Sequence, residues 1–296
     1  MNEIGTYGIV RAAPAPEDDI SALLEQLAVN GFAVREQILT RGEVASLNDR
    51  LEAVYRRQCD EVGGEGALAK IEDADIVRCA LAYDDAFLEL AQHPAIIEVA
   101  TRFIGPTLVL MMQNGVINRP QRRQAQARWH RDLNYQHWVA TAPLALSALV
   151  CLEDFNENTG GTLVLPASHK IEGFPSDRFV QENEVTVEAA SGSVILMDAM
   201  VFHRSGINRS NRVRRGVNHV IGVPILSQPV DIPRMLGREA PQDPWLAGYL
   251  GYRWNPVRDV REWRLRKIAE AMGAGDEGRL ASRTQIEDSG RDASAR

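Results

Sequence analysis

Two kinds of apolar pattern follow one another along the chain. In the N-terminal part the apolar positions recur every three or four residues. Ile20, Leu23, Leu24, Leu27 and Ala28 make one such stripe, opening near Glu17 and stopped by Gly31. Phe32, Ala33 and Val34 then read as a short strand. Thr40 followed three residues later by Glu43 has the form of a capping box, and Val44, Leu47, Leu51, Val54 and Tyr55 give the helix behind it one apolar face. Gly63, Gly64 and Gly66 are expected to end it. Phe87, Leu88 and Leu90 suggest a short helix. Pro94 opens another, which carries Ile96, Ile97, Val99, Ala100 and Phe103 as far as Gly105 and Pro106.

The pattern then changes to short apolar runs punctuated by Gly, Pro and Asn: 108–112, 145–152, 162–165, 185–187, 194–197 and 217–223. Such runs are expected of strands in a sandwich or barrel. Helices that precede strands, instead of alternating with them, predict a mainly β core with a helical buttress. Beyond Pro224, residues 245–254 read as an aromatic-rich loop or lid, and 256–271 as a helix with Val260, Trp263, Leu265 and Ile268. The expected organisation is an extended arm over 1–16, a single domain over 17–273 with its β-core at about 107–224, and a disordered tail over 274–296. No internal repeat is visible.

Composition narrows the function. A chain of 296 residues with net charge −7 lacks the basic field of a nucleic-acid binder. It has no apolar run near the ~20 residues that span a bilayer, and no signal-peptide order at its start, so a cytoplasmic protein is expected. Cys59, Cys79 and Cys151 are odd in number and scattered, which suits buried thiols. The expected partner is a small molecule, met by a monomer or homodimer.

Chemistry concentrates around His130 and Asp132, an imidazole and a carboxylate two residues apart that point the same way if they share a strand. His203 lies 73 residues further on, at the end of an apolar segment, with Ser205 just beyond it and Arg214 at 11 residues. Two histidines and one carboxylate form the facial triad that leaves iron(II) with open positions for a cosubstrate and dioxygen. Arg214 would grip the far carboxylate of a 2-oxo acid bidentately, with the Ser205 hydroxyl beside it. Arg215 competes for that role, and alternation lets only one of the two face the pocket. His219 reads as a core or pocket histidine, His93 as turn chemistry, and His137 as either structural or part of the substrate mouth. Arg119, Arg122 and Arg123 form a basic loop before the metal segment. A rival reading is a metal-binding jelly-roll with a lyase, isomerase or ligand-binding role.

The segments His130-Arg-Asp132-Leu-Asn-Tyr135, Asn158-Thr-Gly-Gly-Thr162-Leu-Val-Leu-Pro166-Ala-Ser-His169-Lys170 and His203-Arg-Ser205-Gly-Ile-Asn208, with Arg214, resemble the phytanoyl-CoA dioxygenase family of iron(II)- and 2-oxoglutarate-dependent oxygenases. The resemblance covers about residues 20–223. It implies a double-stranded β-helix, or cupin-like jelly-roll, with His130, Asp132 and His203 as iron ligands and Arg214 holding 2-oxoglutarate. It also implies that Ser205, Thr162 and Arg119 line the cosubstrate pocket and that His169 is structural; Gln113 is a further candidate contact of the cosubstrate. Arg204 and Ala167 stand where glycine is usual. Related halogenases carry a small residue at the position of Asp132, so hydroxylation or a similar oxidation is expected instead.

The expected substrate is a small organic molecule, a specialised metabolite rather than a coenzyme A ester. Tyr135, His137, Trp138 and Arg122 are the candidate contacts, and 62–80, 119–128, 171–183 and 226–255 the expected walls. Trp138, Trp245, Tyr249, Tyr252 and Trp254 could frame an aromatic pocket.

Overall fold

The computed structural model describes residues 7–8, 18–122, 125–134, 136–254 and 256–273. Helix α1 (Asp19–Asn30) begins where the Asp18 carboxylate accepts the Ser21 N–H at 2.7 Å, and it ends at Gly31, whose φ of 83° suits a residue without Cβ. Strand β1 (Phe32–Arg35) follows. Helix α2 (Arg41–Glu61) carries the expected Thr40–Glu43 capping box and buries Val44, Leu47, Leu51, Val54 and Tyr55. Gly66 does not end that helix but lies within α3 (Glu65–Lys70). Next come β2 (Ile76–Arg78), α4 (Asp85–Ala91) and α5 (Pro94–Ile104), with Pro94 in its first turn as expected.

The β-rich part comprises β3 (Val109–Asn118), β4 (Ala145–Cys151), β5 (Thr162–Val164), α6 (Asp177–Asn183), β6 (Val185–Thr186), β7 (Val194–Asp198), β8 (His203–Ser205) and β9 (Arg214–Gly222). One antiparallel sheet runs β1-β7-β4-β9-β3-β2, and a smaller one runs β6-β5-β8. Between the sheets lies an apolar cluster of Leu149, Phe155, Val164, Ile195, Met197 and Val201. The other face of the large sheet packs against the helices through Leu27, Leu51, Phe87, Ile96, Ala148, Leu196, Val217 and Ile221. Two facing antiparallel sheets with a helical buttress are the jelly-roll architecture that the sequence pattern and the family resemblance anticipated.

Alternation along the strands sorts the polar residues. On β3, Gly115 packs so close to α2 that a Cβ would lie 2.5 Å from Leu51, while Asn114 and Val116 face the interior between the sheets. On β9, Arg214 and Asn218 turn inward and Arg215, Val217 and His219 turn to the helices.

Past the sheets lie α7 (Ile232–Leu236), α8 (Pro244–Tyr249) and α9 (Val260–Gly273). Helix α8 corrects the expected loop at 245–254. Tyr249 is buried and donates its hydroxyl to Ala91 O at 2.7 Å, Trp245 stacks on it at 5.1 Å, and Tyr252 donates to Arg238 O at 3.1 Å. Trp245 and Tyr249 pack on one another, and none of the three rings lines the cavities at the metal centre. Among the described residues, those up to Arg253 form one compact unit and those from Trp254, including α9, form a second. The domain expected to run to residue 273 had kept α9 with the core. The tail, and all of the arm but residues 7–8, lie outside the described residues. All three cysteines are buried free thiols, and no described helix is long and apolar enough to cross a membrane.

Candidate metal centre

His130 does not sit in a regular strand. Its N–H and C=O exchange hydrogen bonds of 3.0 Å with those of His203, a single antiparallel bridge, and the Asp132 N–H donates to Ala199 O at 3.1 Å. The short segment is thereby laid beside the turn that leads into β8. One ligand atom each from His130, Asp132 and His203 fall within 4.8 Å of one another, the one such cluster among the described residues. The imidazole centroids are 4.3 Å apart, and His203 Nε2 lies 3.8 Å from Asp132 Oδ1.

Groups behind the three side chains aim them. His130 Nδ1 lies 2.8 Å from Arg128 O and His203 Nδ1 3.1 Å from Val201 O, so each Nδ1–H has a carbonyl to donate to and each Nε2 lone pair is left for a metal. Asp132 Oδ2 accepts the Ser147 hydroxyl and the Asn218 amide, the latter at 3.0 Å, which leaves Oδ1 toward the imidazoles. Burial pushes the Asp132 carboxyl upward, but the imidazoles of His203 and His130 and these two hydrogen bonds outweigh it and hold the group below its ordinary value. Burial, with His130 alongside, pushes His203 down to about 4. A carboxylate oxygen and two imidazole nitrogens suit a divalent transition metal.

The triad opens on a narrow cavity of about 50 Å³, also lined by Thr162, Ser205, Arg214 and Asn218. Arg214 is 2% exposed, lies 4.2 Å over the Phe155 ring and donates Nη2–H to Ser205 Oγ at 2.7 Å. Its Nε has no partner, and no carboxylate among the described residues lies within ion-pair distance. Burial lowers its pKa to about 10, so it stays charged at neutral pH. Ser205 is itself held by Asn118, whose Nδ2 donates to Ser205 Oγ at 3.1 Å and to Gly206 O at 3.0 Å. A buried cation with an idle donor, aimed into a cavity that also holds three metal-type ligands, fits a chelating acid with a second carboxylate.

Other expected contacts fall elsewhere. Gln113 is on the helix side of β3, where it donates to Phe87 O at 2.7 Å, accepts the Leu81 N–H at 2.7 Å and meets His219 Nε2 at 3.0 Å. Arg119 pairs with Asp75 at 2.7 Å and Glu52 at 3.3 Å, and Arg122 with Glu65 at 2.6 Å. These carboxylates hold both arginines away from the cavity. Arg204 pairs with Glu184, and His169 sets Nε2 against Ala28 O at 3.3 Å. Tyr135 lies outside the described residues.

Two larger cavities adjoin the triad. One of about 490 Å³ is lined by Met112, Asn114, Leu133, Asn134, Val220 and Leu226 beside His130 and Asp132. The other, of about 720 Å³, is walled by Trp129, Phe174 and Phe202 and includes His137. Trp138 is 54% exposed and lines neither. Ser147, Asn218 and Gln126 at the triad escaped the sequence reading. Of these only Asn218 had a cue, since it stands four residues after Arg214 on one strand and so shares its face.

Comparison with known proteins agrees with this architecture. The uncharacterized protein Rv1501 of Mycobacterium tuberculosis (strain ATCC 25618 / H37Rv) is 28% identical over 214 residues, covering 70% of this chain and 77% of the relative. The peroxisomal phytanoyl-CoA dioxygenase of Homo sapiens is 21% identical over 222 residues, 64% of each chain. Among solved structures, the epimerase SnoN in complex with Fe3+, alpha ketoglutarate and nogalamycin RO superposes with a TM-score of 0.55 at 22% identity, over 73% of this chain and 88% of that one. The family model for phytanoyl-CoA dioxygenase (PhyH) matches residues 27–216, most of the described core, and the chain belongs to that family.

Proposed function

We propose that the chain is a non-haem iron(II)- and 2-oxoglutarate-dependent oxygenase that oxidises a small organic molecule. The observation that carries this reading is the buried Arg214, with its idle Nε, in the same cavity as His130, Asp132 and His203. His130 Nε2, Asp132 Oδ1 and His203 Nε2 would hold iron, and Arg214 with Ser205 would hold the distal carboxylate of 2-oxoglutarate. When bound, iron with 2-oxoglutarate and dioxygen supplies the oxidising power, through decarboxylation of the cosubstrate to succinate.

The chain's own residues position and enclose. Leu149, Met197 and Val116 wall the narrow cavity with apolar surface, which strengthens the pairing of Arg214 with an anion by keeping water out. Thr162, 3% exposed, adds a hydroxyl to the same wall. The adjoining cavity of about 490 Å³ is lined by the thioether and aliphatic surfaces of Met111, Met112, Val220 and Leu226 and by the amides of Asn114, Gln126, Asn134 and Gln136. That lining suits an apolar body carrying hydroxyl or carbonyl groups, as in a specialised metabolite. The resemblance to SnoN, an epimerase, makes inversion of a carbon centre the second product class to look for.

Anaerobic addition of iron(II) and 2-oxoglutarate is expected to produce a visible charge-transfer band. A substrate screen should release succinate, and His130→Ala should abolish both signals. Protein that shows no such band at saturating iron and 2-oxoglutarate would refute the reading.

A further inference from the structure

We propose that Arg131 is a positioning residue that ties the candidate metal ligands to one another and to the wall of the cavity of about 720 Å³, the outer cavity. This rests on the metal reading above. Arg131 stands between two of the proposed ligands yet turns its side chain away from the metal. It is 6% exposed. Its Nε donates to Met200 O at 2.7 Å, Nη1 to Glu172 O at 3.0 Å, and Nη2 to Ser168 O at 3.3 Å and to Ile171 O. The guanidinium lies 3.9 Å over the Phe202 ring. All four acceptors are backbone carbonyls, and among the described residues no carboxylate lies within ion-pair distance.

The origin of those carbonyls gives the arrangement its meaning. Met200 belongs to the turn that delivers His203, and residues 168–172 form the segment after β5 that leads to Gly173 and Phe174 of the outer cavity. The Arg131 backbone thus carries His130 and Asp132, while its side chain grips the segment presenting the third ligand. The same junction is also tied by the His130–His203 bridge and by the Asp132 and Leu133 N–H bonds to Ala199 O. The 3.8 Å between His203 Nε2 and Asp132 Oδ1 is set across the same junction. Ser168 reinforces it, since its hydroxyl accepts the Phe202 N–H at 2.8 Å. A guanidinium serves here because its planar fork reaches acceptors on two segments at once, whereas an ammonium presents three donors from one point. Displacement of 168–172, as when the outer cavity fills, is passed through Arg131 to the turn before His203.

The test uses Co(II) as a spectroscopic probe, titrated into metal-free full-length protein. Groups that orient metal ligands typically cost about 10–100-fold in metal affinity when lost. Arg131→Gln is expected to weaken Co(II) binding at least about tenfold and to alter its visible spectrum, with Arg131→Lys in between. Arg215→Gln removes a largely enclosed guanidinium from the helix-facing side and should leave the Co(II) Kd within about twofold. An unchanged Kd and spectrum in Arg131→Gln overturns the proposal, as does an equal loss in Arg215→Gln. Should Arg131→Gln fail to fold, hydrogen exchange on the wild-type protein decides. Co(II) is expected to slow the amides of 168–172 together with those of 199–203, and protection confined to 199–203 overturns the coupling. Wild-type protein that takes up no Co(II) overturns the metal reading itself, and the proposal with it.

Discussion

On β9 an arginine and a histidine take opposite parts, and the parity of the strand separates them. His219 shares β9 with Arg214 but faces the helices, where Nδ1–H donates to Ala148 O at 3.2 Å and Nε2 accepts from the Gln113 amide at 3.0 Å. Burial holds its pKa down to about 4, from an ordinary value near 6.5. A folded pKa below the unfolded one means the unfolded chain takes the proton more readily. The stability contributed by neutral His219 is therefore complete above about pH 6.5 and is lost as pH falls toward 4, by up to about 1.4 kcal/mol per pH unit. Urea melts between pH 8 and 4.5 should show stability falling through this window, with a shallower fall in His219→Gln. Equal slopes in the two proteins would reject the assignment. The same parity explains Gln113. Its amide was a reasonable cosubstrate contact by residue type, but its position on β3 sends it to His219. The triad was legible because its members carry distinctive chemistry in short motifs. Ser147, inside the wholly buried run of β4, looked like one polar interruption of an apolar strand.

Elements were legible where their period was long. Helices α1, α2 and α5 announce themselves by stripes and caps. Strands β2 and β8 have three residues each, too few for alternation to register, and β3 continues past its apolar start because Gln113, Asn114 and Asn118 serve the two faces of a working sheet. The glycine pair before Thr162 was visible as a motif, and its reason is steric. Gly160 has φ 69°, and a Cβ there would lie 2.6 Å from Gly206 O and 2.7 Å from Asn208 N, backbone atoms that cannot step aside. Asn118 donates to Gly160 O as well as to Ser205, so the ends of β3, β5 and β8 meet beneath the hydroxyl that holds Arg214. Gly160→Ala is expected to cost about 1–3 kcal/mol of stability. It should also raise the KM for 2-oxoglutarate several-fold while the Co(II) Kd stays near wild type, since His130, Asp132 and His203 are braced separately. Denaturant titration and cosubstrate kinetics read the two effects, and an unchanged KM in the folded variant would detach Gly160 from the Arg214 side of the cavity.

At the scale of the whole molecule, the candidate site is assembled at the expense of the fold that carries it. The jelly-roll interior is apolar apart from the groups that converge on one end, and Arg214 sits there with no carboxylate among the described residues within ion-pair distance, its Nε unpartnered. An uncompensated buried charge is destabilising, and a well-packed apolar replacement of similar size is often neutral or stabilising. Arg214→Met should therefore leave the ligand-free protein at least as stable as wild type, even though the substitution removes the proposed anion anchor. Ligand should reverse the order. A cosubstrate at about 100 times its Kd stabilises the native state by about 2.7 kcal/mol, which for a unit of this size is on the order of 5–10 °C in Tm. Thermal scans with Mn(II) as a redox-stable stand-in for iron should show that shift on adding 2-oxoglutarate to wild-type protein, none without the metal, and none in Arg214→Met. A shift that survives Arg214→Met would mean that the cosubstrate is held by some other group in the cavity, and the buried guanidinium would then lack the ligand that its enclosure calls for.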